Sequence, residues 1–370
     1  MSTTYDRIKP YNQLPPLPPV DEINNNPQIL KALVAASRAL AKVDGHLSRL
    51  PNPLMLINTL ALQEAKSSTE IENIFTTEDE LYKAISSEKK FGKISPATKE
   101  VLKYREALWA GYQHLQDNNI IETSLILNIF KAIKNTNEGI RPPHAQVVIK
   151  RGNSDIRPGE IVYTPPRGNN ILEPMLDNLV KYLNSKDETD PLVKMAIAHY
   201  QFESIHPFRD GNGRTGRIIN LLYLVKQGLL TAPSLYMSKH IIETKDEYYY
   251  QLGAVRQDQN FTNWILYMLL VVERTSIRTG QLIDDILDQM EETLKYGKSK
   301  LTWYTKEINE LIFTQPYTRS EHLAKLLGRT SRTTITKYLG ELVAAQILRH
   351  QKEGKHVFYV NDDLVRLLDS

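Results

Sequence analysis

One segment near the middle of the chain combines residue types and spacings that could do chemistry: His206-Pro207-Phe208-Arg209-Asp210-Gly211-Asn212-Gly213-Arg214-Thr215-Gly216-Arg217. His206 carries an imidazole that ordinarily titrates near neutrality, so it can take a proton from an incoming hydroxyl. Asp210 supplies the hard oxygen that Mg²⁺ on a phosphate chain takes as a ligand. Gly211 and Gly213 let the backbone turn where a side chain would clash, and their N–H groups can approach a ligand closely. At the start of a helix such N–H groups make an anion site. Arg214 and Arg217 are three apart, so on a helix they would share a face and grip a polyphosphate from one side. The segment reads as a phosphate cradle with a base beside it.

Two helices must hold this loop. Pro207 lacks an N–H and disfavours helical geometry in the residue before it, so the apolar run Ile197, Ala198, Phe202, Ile205 ends a helix near His206. Asp190-Pro191 opens that helix. Downstream, Ile218, Ile219, Leu221, Leu222, Leu224 and Val225 predict a second, largely buried helix that stops at Gly228.

The pattern His-x-Phe-x-Asp-Gly-Asn-Gly-Arg-x-x-Arg resembles the Fic (filamentation induced by cAMP) domain at every fixed position. The resemblance implies a mainly helical, all-α fold with a small β-hairpin flap, and nucleotidyl transfer with ATP as donor and Mg²⁺ as cofactor. His206 would deprotonate a Ser, Thr or Tyr hydroxyl of a protein target, which attacks the α-phosphate while pyrophosphate leaves. Asp210 would hold Mg²⁺. Gly211, Asn212 and Gly213 would cradle phosphate oxygens, Arg214 and Arg217 would orient the β- and γ-phosphates, and Thr215 and Gly216 fall within the same ATP-binding segment. Arginine at 214, where a phosphorylating branch of the family has lysine, argues against phosphoryl transfer. No Walker A pattern occurs, which disfavours a P-loop ATPase.

Ser67-Ser68-Thr69-Glu70-Ile71-Glu72-Asn73 is by itself a polar interruption after a helix from Pro53 to about Ser67, with two exposed acids. The family pattern Ser/Thr-x-x-x-Glu-Gly/Asn is matched by Ser68, Glu72 and Asn73, and the preceding Glu64-Ala65-Lys66 is also similar to the family. The resemblance implies an N-terminal inhibitory helix. A Glu72 carboxylate brought to Arg217 can form a bidentate, charge-assisted pair. An arginine so occupied cannot orient a γ-phosphate.

Val147, Val148 and Ile149, then Ile161, Val162 and Tyr163, alternate with polar turns at Gly152-Asn153 and Pro158-Gly159 and predict a hairpin. It either only packs or, as the resemblance implies, is a flap over the site whose strand Glu160, Ile161, Val162, Tyr163 holds the target by strand addition. Tyr248-Tyr249-Tyr250 is core or, by resemblance, Tyr248 and Tyr249 border the adenine pocket with Arg256 nearby.

Elsewhere the chain is ordinary. Its 370 residues predict two or three domains, placed at 1–95, 96–280 and 281–370. Hydrophobic content of 41%, net charge +3 and no cysteine describe a globular protein without disulfides or zinc–thiolate sites. The polar start Met1–Pro10 has no signal-peptide core, and Trp264–Val272 is too short to span a bilayer, so a cytoplasmic protein off the membrane is expected. Leu14-Pro15-Pro16-Leu17-Pro18-Pro19 is a partner ligand or an arm that covers its own leucines. Helices are predicted at Pro27–Gly45, with Ile29, Leu30, Leu33, Val34 and Leu40 as the apolar stripe, from Ser95-Pro96 to about Asp117, over Leu125–Lys134, within Ser238–Gly253, and through a connecting stretch at Ile283, Ile286, Leu287, Met290 and Leu294.

The last seventy residues read as a winged helix-turn-helix. Thr318-Arg319-Ser320-Glu321 is a capping box, Gly328-Arg329-Thr330 the turn, and Ser331–Ala344 a second helix with Ile335, Leu339 and Leu342 inward. Ile347-Leu348-Arg349 and His356–Val360 form the wing around Lys352-Glu353-Gly354-Lys355. Arg332, Thr333, Thr336 and Lys337 face outward, suited to DNA phosphates or to a protein partner. A DNA-binding regulator whose core only senses nucleotide, and removal of AMP by the same site, are the rival functions. The connecting helix and family habit imply a homodimer.

Overall fold

A computed structural model describes residues 5–19, 23–50, 53–86, 94–151, 159–258, 260–328, 331–354 and 356–369. After a short 3-10 turn come α1 (Pro27–Leu47), α2 (Pro53–Ile71), α3 (Glu78–Ser86), α4 (Pro96–Asn118) and α5 (Thr123–Lys134). The antiparallel pair β1 (Ile149–Arg151) and β2 (Glu160–Tyr163) follows, then α6 (Leu172–Asn184), α7 (Pro191–Ile205), α8 (Asn212–Lys226), α9 (Met237–Glu243), α10 (Lys245–Asp258) and α11 (Thr262–Lys300). The chain closes with α12 (Lys306–Thr314), β3 (Tyr317–Thr318), α13 (Ser320–Leu327), α14 (Arg332–Ala344), β4 (Arg349–Glu353), β5 (His356–Val360) and α15 (Asp362–Asp369).

The core is built around α7 and α8. Every residue of α7 from Leu192 to Ile205 is buried, polar ones included, and α8 is buried along nearly its whole length. Asp190 caps α7 by accepting from the Leu192 amide at 2.8 Å, with Pro191 in the first turn. Helices α2, α4, α5, α6 and α11 surround the pair. Trp264 locks α11 on by donating its indole N–H to the Ala196 carbonyl at 2.7 Å. The loop between α7 and α8 is thereby held by the best-packed part of the molecule.

Several elements differ from the sequence expectation, for physical reasons. The buried face of α1 is Ile29, Ala36, Leu40, Val43 and Leu47, because α1 lies along α11. Leu30 and Val34, about 100° around the helix from that line, are exposed at 45% and 49%. Helix α2 runs on to Ile71, through the stretch expected to interrupt it, since its hydroxyls find partners: Thr69 Oγ1 bonds the Ala65 carbonyl and Ser67 Oγ meets the Tyr236 hydroxyl. The apolar run at Trp264 and the connecting stretch beyond Ile283 are one unbroken helix. The segment around Ser238–Gly253 holds two helices, α9 and α10, divided at Thr244. The hairpin begins at Ile149, not Val147, and its turn at 152–158 lies outside the described residues. The proline-rich arm packs on its own protein: Leu14 and Leu17 are buried, and the Asn178 side chain brackets the Leu17 backbone at 2.8 and 2.9 Å.

The C-terminal region has the expected order of helix, helix and hairpin, and adds a strand: its sheet runs β3-β5-β4. Helix α13 is capped one residue later than expected, the Arg319 amide donating to His322 Nδ1 at 3.4 Å, with neither Thr318 nor Glu321 involved. Strand β4 takes in Lys352 and Glu353; Arg329, Thr330 and Lys355 lie outside the described residues. Arg332, Thr333, Thr336 and Lys337 are exposed, but Arg319, Lys337 and Arg349 are paired with Glu321, Glu341 and Asp362. Among the described residues no helix is long and apolar enough to cross a membrane.

Candidate active site

A cavity of about 670 Å³ opens where the α7–α8 loop meets the end of α2, the hairpin and α10. His206 terminates α7 in left-handed geometry (φ 50°, ψ 59°), which turns the chain sharply toward Pro207. Phe208 then plunges into the core and stacks on Phe130 with centroids 3.9 Å apart. The Asn212 side chain clasps the Phe208 backbone, accepting from its N–H and donating to its carbonyl, both at 2.9 Å. The Asn212 side chain is thereby committed to the loop, which leaves its backbone N–H as the group it can offer to phosphate. What the cavity receives is the N-terminus of α8, where Gly211 (φ 83°) turns the chain and Asn212 and Gly213 line the wall. The first N–H groups of a helix have no intrahelical acceptor and face an anion favourably.

Arg217 is buried in the same cavity wall and is already engaged. Its Nε donates to Ser68 Oγ at 2.8 Å, and one terminal nitrogen donates to the Ser68 carbonyl (2.7 Å) and Glu72 Oε1 (2.8 Å). The pair is not the bidentate fork expected: the guanidinium divides its donors between Ser68 and a single carboxylate oxygen. Burial, the largest influence, opposes the Arg217 charge, but Glu72 together with Tyr248 and Tyr104 outweighs it and holds the guanidinium protonated. Asn73 sits at φ 60° and closes a Schellman turn, its amide reaching the Glu70 carbonyl and the Ile74 amide reaching Thr69. That left-handed residue is what stops α2 with Glu72 protruding, so Asn or Gly at this place has a conformational reason. Gly213 has a steric one, since a Cβ there would collide with Glu72 Oε1. Glu64 is fully buried, accepts from Ser238 N–H (2.8 Å) and the Tyr104 hydroxyl (3.1 Å), and fixes α2 from behind; burial pushes its carboxyl up.

The expected near-neutral imidazole is not what the fold provides. Burial, then the Arg141 charge, depress His206 to about 4, with the Glu203 carbonyl and Glu72 acting in the opposite sense. At neutral pH His206 is therefore unprotonated and able to accept. Glu203, missed in the sequence, lines the cavity one turn before His206 and is pushed up to about 7, mainly by burial, with Arg217 opposing and Glu72 adding to the rise. Its signal was present: a carboxylate inside a helix buried all round. The folded-state value lies above the unfolded one, so ionising Glu203 destabilises the fold progressively from about pH 4.5 to 7. Glu203→Gln should therefore raise the thermal midpoint at pH 8 and leave it nearly unchanged at pH 4.5. Equal gains at both pH values would contradict this.

Asp210 lies at the cavity mouth. Burial works against its ionisation, but the Lys134 ammonium at 2.6 Å, Arg214 and the Gly211 N–H hold its carboxyl below the usual range. A single ionised carboxylate beside a phosphate cradle is the donor set Mg²⁺ accepts when phosphates and water complete its shell. Tyr248, Tyr249 and Arg256 also line the cavity. Burial raises both tyrosine hydroxyls; that of Tyr248 meets His199 Nε2 at 2.9 Å, and Arg256 lies over the Tyr163 ring at 3.9 Å.

Seven other expected site residues do not reach the cavity. Arg214 is 1% exposed and turned to Glu100 on α4. Three residues on a helix leave side chains about 60° apart, and here that angle separates a cavity wall from a helix interface. Thr215 bonds back to the Gly211 carbonyl at 2.9 Å, and Gly216 has no room for a side chain against Glu203 and Phe202. Ser68 acts only through Arg217. Of the hairpin, β1 with Val148 and of β2 only Val162 face the cavity. Glu160, Ile161 and Tyr163 do not; beyond β2 the N-terminal arm lies alongside, with the Tyr5 hydroxyl on the Val162 carbonyl (3.2 Å) and the Tyr11 amide on Thr164 (3.1 Å).

Three family models match in succession: the Fic/DOC family N-terminal model at residues 30–113, the Fic/DOC family model at 121–224, and the C-terminal domain of SoFic-like protein adenylyltransferases at 286–364. The chain belongs to the Fic/DOC family. Among relatives of this Fic chain, a probable protein adenylyltransferase of Aquifex aeolicus is 28% identical over 81% of the chain and 85% of its own length. Protein adenylyltransferase fic-1 of Caenorhabditis elegans is 30% identical over 40% of the chain; the match spans only 28% of that relative. In fold, the Fic chain is similar to a Fic family protein from Desulfovibrio desulfuricans (TM-score 0.55, 20% identity, 91% of this chain and 96% of that one). It is also similar to a Fic domain containing signaling protein from Bacteroides thetaiotaomicron (TM-score 0.51, 19% identity, 69% and 95%).

Proposed function

We propose that this Fic protein is an adenylyltransferase that moves AMP from ATP to a Ser, Thr or Tyr hydroxyl of a protein, and that Glu72 restrains it. The observation that carries the reading is the shared cavity: an unprotonated His206, the N-terminus of α8 and a buried Arg217 all face one space of nucleotide size. In this reading the triphosphate lies along the start of α8, its α-phosphate near the Asn212 and Gly213 N–H groups and its γ-phosphate toward Arg217. Tyr248, Tyr249 and Arg256 then border the base. The target hydroxyl gives its proton to His206 and its oxygen bonds the α-phosphorus, while the bond from that phosphorus to the bridging oxygen breaks and pyrophosphate leaves. Mg²⁺, held by Asp210 and phosphate oxygens, would neutralise charge on the leaving group. Arg214 serves indirectly, pairing with Glu100 and standing 4.0 Å from Asp210, and so holds the start of α8 in place.

Restraint follows from Arg217. With Nε and one terminal nitrogen spent on Ser68 and Glu72, the edge of the guanidinium that meets Glu72 is closed to a γ-phosphate, and the Glu72 carboxylate adds like charge where that phosphate would sit. The named activity of the relatives supports the reaction type. Intact mass of the purified chain after incubation with Mg²⁺ and ATP, alone and with a cell extract stripped of nucleotide, tests it. A gain of one adenylate on the chain or on an extract protein is the expected result. No adenylate in either, with the Glu72 restraint removed, overturns it.

A further inference from the structure

Arg141, in the loop between α5 and β1, is 3% exposed, yet among the described residues no carboxylate pairs with it. Its polar contacts are carbonyls. The backbone amide donates to Pro207 O (2.9 Å) and Nε to His206 O (2.8 Å), while one terminal nitrogen donates to Ile205 O (3.4 Å) and Pro166 O. Three successive carbonyls around His206 are thus held by one residue. Those of Ile205 and His206 end α7, where a helix leaves its carbonyls without partners and favours a positive charge. Burying a guanidinium without a counter-ion opposes folding. His206 itself stands in a left-handed conformation that L-residues adopt only with support.

We infer that Arg141 is a positioning residue for the transfer reaction: it holds the backbone on both sides of His206, aims the imidazole into the cavity, and ties that segment to the chain leaving the hairpin at Pro166. The inference rests on the transferase reading for its consequence in turnover, but not for its geometry. Arg141 does not line the cavity, so it acts on the rate and not on nucleotide binding. A lysine could supply charge but not a planar fork for several carbonyls, and a glutamine could supply a donor without charge. The groups that act on His206 besides Arg141 are Glu203 on its own helix α7, Glu72 after α2 and Arg256 on α10, and these stay in place in either variant.

The test uses the full chain, with Glu72→Gly added so that turnover is measurable. Arg141→Lys should lower the transfer rate roughly 10- to 100-fold with the KM for ATP changed less than about twofold. In the nucleotide-free protein, the His206 ring signal, assigned by its loss in His206→Ala, should bind a proton about tenfold more tightly in Arg141→Gln. In Arg141→Lys that affinity should be little changed. A merely structural role would lower the thermal midpoint while moving neither the titration nor the rate per folded molecule, and that result overturns the inference. Should the parent chain transfer no AMP, the transferase reading falls alone: the titration still decides, since an unmoved His206 signal in Arg141→Gln sinks the role assigned to Arg141.

Discussion

Replacing Glu72 by glycine should raise incorporation of AMP from ATP labelled at the α-phosphate, into the chain itself or its target, by roughly 10- to 100-fold, or about 1.4 to 2.7 kcal/mol of barrier. The direction follows from Arg217, two of whose three guanidinium nitrogens are engaged by Glu72 and Ser68. The magnitude follows from exposure. Removing one partner of a fully buried pair costs about 3–5 kcal/mol, but the Glu72 side chain is 32% exposed, so water already screens part of it. Glycine suits the site because Glu72 lies next to the left-handed Asn73 that ends α2, where the helix needs no further support. Glu72→Gln separates charge from shape: it keeps an oxygen that can accept from Arg217 and should give an intermediate gain. The freed guanidinium should also lower the thermal midpoint, and saturating ATP should restore it, because a ligand of the native state stabilises by mass action. Labelling that stays at the parental level in Glu72→Gly removes the inhibitory role.

The parts of this site that were legible in the sequence are those whose chemistry is local. His206 through Gly213 lie within one loop, and residue type and spacing alone place a base beside a helix N-terminus. Glu72 was legible only through a family pattern. Its physical basis, the Schellman turn at Asn73 and the missing Cβ at Gly213, emerges from two segments far apart in the chain. Arg214 misleads because a helical spacing fixes an angle but not which side holds the cavity. Glu100 on α4 decides that, and nothing near residue 214 announces it. Similarly, α1 was expected to bury Leu30 and Val34 because they are apolar, whereas the buried line is set by where α11 lies. Arg141 left no signal, a lone arginine among loop prolines. Glu203 and His199 did leave one, as ionisable residues in a helix too apolar to have a solvent face. Long-range packing, not residue chemistry, is what the sequence withheld.

The ionisation of His206 gives the sharpest numerical consequence of that packing. If the imidazole takes the proton of the attacking hydroxyl, His206→Ala should lower AMP transfer by about 10²- to 10⁴-fold, the range for a positioned general base. ATP binding measured by calorimetry should persist, since Arg217, the start of α8 and the aromatic wall are untouched. The pH profile should carry the mark of burial. A base works unprotonated, and the fold depresses His206 from 6.5 to about 4, so its protonated fraction is negligible at pH 6. Transfer in Glu72→Gly should therefore be flat from pH 8 down to about 5.5 with respect to this group and fall only as pH approaches 4. Any loss centred near 7 belongs to Glu203, and Glu203→Gln should remove it. An inflection at 6.5 that survives Glu203→Gln would mean that the imidazole sits in water rather than in the wall of the cavity. The proton would then have to leave the target hydroxyl by a route that does not depend on the buried end of α7.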